Sequence, residues 1–305
     1  MRAPGATPRW RLVLGVIAFA AWGAPLGLVG LPCAALLAVV PDRSARTRVA
    51  AAVLGATSIA LLAFPGGRLS AVIAAYSILL TVAFAAGAVL APAPFLRQAL
   101  RAVSFGGAAT ALLVQLVWGS AAWGALAWEA TRTAGLTMRI VVEFFPDAFT
   151  LYEPVVRFIS TTTPGMLALQ SLAGLALAWQ WHGLLTAHPL GGPLTPFREF
   201  RIGDAWVWGV VAWLALMIAP VSSLLKVAGT NVGFVLGTLY VLRGAAIVVT
   251  FAQALGVSAA ALVIVATAAA TIALPLFLPG LCTLGITDTW YQFRQRLAAR
   301  RQNVT

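Results

Sequence analysis

The chain has 305 residues, 61% of them hydrophobic and 9% charged, with a mean hydropathy of +0.94 and a net charge of +12. Soluble domains carry about 25% charged residues, so an ordinary water-facing surface is excluded and a polytopic membrane protein is predicted. The basic charge does not point to nucleic acid. The 20 Lys and Arg residues sit in short clusters between apolar runs, the pattern that orients membrane spans, and none is interleaved with aromatics as a nucleic-acid platform requires.

Arg2, Arg9 and Arg11 precede an apolar run from Leu12 to Val40. That run is far longer than the roughly 7–15 residues of a signal-peptide core and contains no convincing cleavage site, so it is read as retained. Gly23, Pro25, Gly27 and Gly30 fall in its middle, where proline removes a backbone donor and glycine weakens a helix. Two short helices forming a hairpin are predicted, returning Arg43, Arg46 and Arg48 to the side of the N-terminus. Spans over 49–64, 69–91 and 102–120 follow, separated by Pro65-Gly66-Gly67 and by the turn APAPF with Arg97 and Arg101. The excess of arginine places both basic groups in the cytoplasm.

Residues 121–158 break the hydrophobic pattern. After Trp118, Trp123 and Trp128 come Glu129, Glu143, Asp147 and Glu153 with Arg132, Arg139 and Arg157, a net charge of −1 in an otherwise basic chain. A non-cytoplasmic segment is predicted, lying on the membrane surface through Phe144, Phe145, Phe149, Leu151 and Tyr152. Its four acids make it either a passive connector or a lid over a pocket. Thr161-Thr162-Thr163-Pro164 then reads as a helix start, with capping hydroxyls and a first-turn proline.

That helix is expected to reach Leu185. A cytoplasmic Gly/Pro-rich loop with Arg198 and Arg201 follows, and Asp204 is placed as the cap of a span that ends near Leu225 with Lys226 outside. Next come a helix over 231–254 and a final run over 258–284 broken by Pro275 and Pro279, and then a basic tail with Arg294, Arg296, Arg300 and Arg301.

The expected fold is therefore all-α: one integral membrane domain over 1–305, a transmembrane helical bundle of eight or nine spans. It divides into N-terminal helices (10–120), a polar interfacial segment (121–158), C-terminal helices (159–290) and a basic tail (291–305). Nine crossings put the N-terminus and the tail on opposite sides, and the sequence leaves that parity open. The implied location is the cell inner (plasma) membrane, multi-pass, with the lipid bilayer as first partner.

Chemistry is sparse. The chain has no P-loop, HExxH or GxSxG and no paired intramembrane acids, so an enzyme is not expected. Cys33 and Cys282 form no CxxC pair, and His182 and His188 miss the i, i+4 spacing of a metal helix, so neither metal nor cofactor is expected. His182 and His188 read as interfacial histidines, while Gln115, Gln170, Gln180 and Gln253 read as interhelical hydrogen-bonding residues. Arg243 is the one charge well inside a hydrophobic run. A mid-membrane cation costs about 2.5–3.5 kcal/mol and faces protein or water. On a helical wheel Gly233, Gly237, Tyr240 and Gly244 form one stripe, Gly233 and Gly237 as a GxxxG pair for close helix approach, with Arg243 at its margin.

Two readings of Arg243 stand. It binds an anionic part of a small-molecule ligand or pairs with an acid such as Glu129 or Glu153, with Tyr240, Gly237 and Gly244 around it. Alternatively it is structural, bonding helix carbonyls or snorkelling to an interface. Asp288 is expected to cap the basic tail or to bond Arg294.

The order Phe197-Arg198-Glu199-Phe200-Arg201, Trp206 and Trp208, Leu239-Tyr240, Arg243-Gly244, Leu278-Pro279, Leu284-Gly285-Ile286-Thr287-Asp288, Phe293-Arg294 and Arg296 resembles the YybS-like bacterial membrane proteins. These are a family of unknown function, number 2232. The resemblance implies a fold similar to the substrate-binding S components of energy-coupling-factor vitamin transporters, small helical bundles that bind a micronutrient and work with an ATPase module. It carries over no catalytic residue. The expected function is thus a small-molecule binding or transport component energised by a partner; the alternative is a structural or assembly membrane protein acting through protein contacts.

Overall fold

The computed structural model describes residues 9–40, 44–63 and 66–293, and among these the secondary structure is helical with no strand. Arg2, Arg43, Pro65, Arg294, Arg296, Arg300 and Arg301 lie outside them, as does the contact expected between Asp288 and Arg294. The chain forms two compact units, Met1–Leu194 and Thr195–Thr305.

In the first unit the N-terminal run is split, as its glycines and proline predict. Helices α1 (Arg9–Ala21) and α2 (Gly27–Val39) are 13 residues each, about 20 Å long and short of a 30 Å bilayer core. Between them Gly23 takes φ +70°, a left-handed conformation that glycine adopts without penalty. The two halves are not a hairpin packed on itself: α1 packs on helix α7 (Tyr152–Leu185), whereas α2 packs on α3 (Ala45–Leu62), α4 (Arg68–Leu90) and α7. A methyl on Gly174 of α7 would lie 2.8 Å from the carbonyl oxygen of Leu28, so the approach of α2 to α7 needs that glycine. Leu28, Leu36, Leu80, Phe84 and Leu175 fill the centre of this unit. Helices α4 and α5 (Phe95–Trp118) pair closely, and the buried Gln98 side chain on α5 donates to the Phe84 carbonyl at 3.1 Å.

Residues 121–158 are largely helical. Helix α6 (Ala121–Phe144), a 3₁₀ turn (Pro146–Leu151) and the first turns of α7 succeed one another, with α6 packed on α7. The threonines do not start a helix. They lie inside the 34-residue α7, where Thr161, Thr162 and Thr163 donate their hydroxyls to the carbonyls of Arg157, Phe158 and Ile159. The helix runs on past Pro164 although proline removes one backbone donor. His182, expected at an interface, is 1% exposed and lies against Trp179 with ring centroids 6.1 Å apart.

The second unit contains α8 (Val207–Ile218), α9 (Ser223–Ala254) and α10 (Ala259–Tyr291). Pro220 ends α8 early, because a residue preceding proline is driven out of the helical region; Lys226 therefore falls in the first turn of α9 instead of beyond a span. Helix α8 runs antiparallel along α9: Gly209 meets Leu236, the Trp213 indole covers Gly233, and Leu216 and Met217 cover Gly229. Residues 195–206, a non-helical strap with 3₁₀ turns at Phe197–Glu199 and Asp204–Trp206, continue that track along the rest of α9. The final helix is continuous across Pro275 and Pro279 and reaches Tyr291, which puts Asp288 inside it.

Four of the described helices, α3, α4, α5 and α9, are long and apolar enough to cross a membrane, and Gly27–Val39 and Asp204–Ile218 are shorter apolar stretches. The eight or nine expected crossings also drew on runs that fold as α1 with α2, as α7, as the 12-residue α8 and as α10.

Candidate functional site

Helices α9 and α10 meet backbone to backbone. A methyl on Gly244 would run into the carbonyl oxygen of Leu281, and a methyl on Gly285 would run into that of Tyr240. The two contacts are reciprocal and in opposite chain order, so the helices are antiparallel here. Small residues at such a crossing let carbonyls and Cα–H groups approach. Of the predicted stripe, Gly244 serves close packing and Gly233 accommodates the Trp213 ring, but Gly237 does neither: no atom lies within 4 Å of the position its Cβ would take.

This crossing brings Arg243 to Asp288. Arg243 is fully buried and Asp288 is 1% exposed; Arg243 Nε donates to Asp288 Oδ2 at 3.1 Å. Nη1 donates to the Ile202 carbonyl at 3.2 Å, and Nη2 to Asp204 Oδ1 at 3.2 Å. The planar guanidinium thus points at three acceptors from two elements, the directional use for which arginine is suited and lysine is not. Desolvating the cation is costly, and paired, hydrogen-bonded carboxylates offset that cost.

Each acceptor is there for a local reason. Asp288 sits at the C-terminal end of α10, where its Oδ1 accepts from the Phe293 N–H at 3.1 Å while its carbonyl accepts from Gln292, which is in the left-handed conformation (φ 47°). One carboxylate therefore both closes the helix end and neutralises the arginine. The Ile202 carbonyl belongs to non-helical backbone with its residue 3% exposed; a buried carbonyl without a helical partner needs a donor, and Arg243 supplies it. Asp204 was expected to cap α8, but its side chain turns to Arg243 and makes no capping hydrogen bond; it remains 55% exposed. Farther along the strap, Thr250 Oγ1 lies 3.2 Å from the Arg198 carbonyl.

Tyr240 is also fully buried, and its hydroxyl has no hydrogen-bond partner among the described residues. It lies within reach of the charges of Arg243 and Asp204 and of the Cys282 thiol. Trp213 Nε1, beside Gly233, is likewise buried without a partner.

Glu129 and Glu153, the acids expected for Arg243, have partners in the first unit. The Glu129 carboxylate accepts from the N–H groups of Arg68 at 3.2 Å and Leu69 at 2.7 Å, capping α4 from a neighbouring helix. Glu153 pairs with Arg157 one turn on, at 2.7 Å and largely exposed, while Glu143 and Asp147 are exposed. Sequence reasoning missed Asp288 and Asp204 as partners of Arg243 because both were assigned to segment ends. The available signal was a glycine close to each acid at the end of an apolar run, Gly285 three residues before Asp288 and Gly203 next to Asp204.

No curated protein and no solved structure matches the chain. With its long apolar helices the chain is a multi-pass membrane protein, similar from residue 150 to residue 289 to the family described as "Predicted membrane protein (DUF2232)", a match that takes in Ile202, Asp204, Arg243 and Asp288.

Proposed function

We propose that this protein is a non-enzymatic, small-molecule binding or transport component of the inner (plasma) membrane, similar in kind to the S components and dependent on a partner for energy. The ligand site is the part of the second unit around Tyr240. The observation that carries this reading is the Tyr240 side chain, fully buried, its hydroxyl without a partner among the described residues, about one turn before Arg243 on α9. An unpaired buried hydroxyl costs about 1–3 kcal/mol, a cost that a bound hydrogen-bonding group removes. Gly237, one turn before it, leaves room on the same stripe. Arg243 is a positioning residue in this reading, because its donors already face the protein.

Purified protein screened by thermal shift against water-soluble micronutrients is expected to be stabilised by at least one compound, and Tyr240→Phe is expected to weaken that stabilisation. Stabilisation that is unchanged in Tyr240→Phe would sink this placement of the site.

A second reading has its own observation. Arg243 bonds three acceptors of its own chain and has no exposure, which favours a structural or assembly protein whose surface, not its interior, meets a partner. Stable copurification of a partner protein, with no compound shifting the melting temperature, supports that reading instead.

A further inference from the structure

We infer that residues 195–206 are a releasable strap over α9, with the Arg243–Asp204 pair as its latch and the Arg243–Asp288 pair as its fixed anchor. This inference rests on the ligand reading above only for what the strap covers. The latch itself follows from an asymmetry between two acids on one guanidinium. Asp288 is 1% exposed, lies inside a helix and uses its second oxygen to close that helix end; Asp204 is half exposed and sits in the 3₁₀ turn that leads into α8. Water can take over the hydrogen bonds of Asp204 when it leaves, which it cannot do for Asp288.

The backbone of the strap is fastened at the Ile202 carbonyl by Arg243 and lies against Thr250 at Arg198. Its Phe197–Glu199 turn is too short to be stable alone, and Gly191, Gly192, Pro193, Pro196 and Gly203 flank or interrupt the strap, so no helix propagates through it. Because Arg243 keeps Asp288 when the strap lifts, the cation is never left bare. Lifting removes the cover that the strap places over Arg243 and, with it, opens a route toward Tyr240.

Hydrogen exchange of the full-length protein in detergent or nanodiscs, comparing wild type with Asp204→Asn and Asp288→Asn, tests the latch. In Asp204→Asn, exchange over 197–206 is expected to rise by about threefold, the effect of weakening one half-exposed ion pair, with α9 and α10 unchanged. Loss of protection in α9 and α10 is expected for Asp288→Asn alone. Unchanged strap exchange in Asp204→Asn overturns the proposal, as does an equal loss in α9 and α10, which would make Asp204 part of the core. Faster strap exchange in Asp204→Asn, combined with a wild-type protein that no micronutrient stabilises, upholds the strap and sinks the ligand reading.

Discussion

Arg243 and Asp288 are a buried ion pair 45 positions apart in sequence, and the acid also closes the end of its own helix. Removing the acid leaves a buried cation whose other carboxylate partner, Asp204, is half exposed. Asp288→Ala is expected to lower stability by about 3–5 kcal/mol, whereas Asp204→Ala, at a half-exposed carboxylate, is expected to cost less than about 1 kcal/mol. Thermal unfolding in detergent, followed by tryptophan fluorescence, ranks the two; equal losses would refute the assignment of anchor and latch.

Replacing both members of the pair separates charge from packing. Arg243→Met combined with Asp288→Leu is expected to recover most of the stability lost by either single substitution, since buried pairs are often matched by apolar residues of similar volume. The double-mutant cycle should show coupling well above about 0.5 kcal/mol. An additive result would mean that the two side chains act independently.

The glycines of α9 and α10 are not equivalent. Gly244→Ala and Gly285→Ala drive a methyl into a backbone carbonyl, which no rotamer change relieves, and each is expected to cost about 3 kcal/mol or more. Gly237→Ala meets open space and should gain about 0.5–1 kcal/mol from helix propensity. The order of melting temperatures of the three variants checks this, and a Gly237→Ala variant as damaged as the others would contradict the packing described.

Glu129 caps α4 through the N–H groups of Arg68 and Leu69. Glu129→Ala is expected to cost about 1–2 kcal/mol. A methyl on Gly67 would lie 2.8 Å from Glu129 Oε2, so Gly67→Ala should displace the carboxylate and cost a similar amount. In the double variant the two losses should not add; simple additivity would show that the glycine acts through something other than the cap.

What the sequence made legible was whatever depends on composition and local backbone chemistry. Hydropathy alone indicates the membrane, Gly23 and Pro25 mark the break in the first run, and the cost of a charge in an apolar helix singles out Arg243. The segment starting at Thr161 misled for a physical reason: threonine hydroxyls satisfy helix carbonyls from inside a helix as well as N–H groups at its start, and only the tertiary support of α6 on α7 decides between the two. GxxxG misled in a similar way. Gly233 and Gly237 share a face, but close approach depends on what the partner offers, and α10 offers its carbonyls to Gly244 instead. The partners of Arg243 were hidden because an acid at a segment end has a ready local role, and nothing in one dimension shows that the end folds back onto another helix.

The double duty of Asp288 has a mechanical consequence. Sliding α10 along α9 by one helical turn, about 5.4 Å, would break the ion pair, unfasten the end of α10 at Phe293 and bring Gly285 and Gly244 out of register with the carbonyls they admit. All three losses fall together, so the two helices behave as one stiff beam. Motion that serves function in the second unit is thereby left to α8 and the backbone that precedes it, moving against a track that does not itself give.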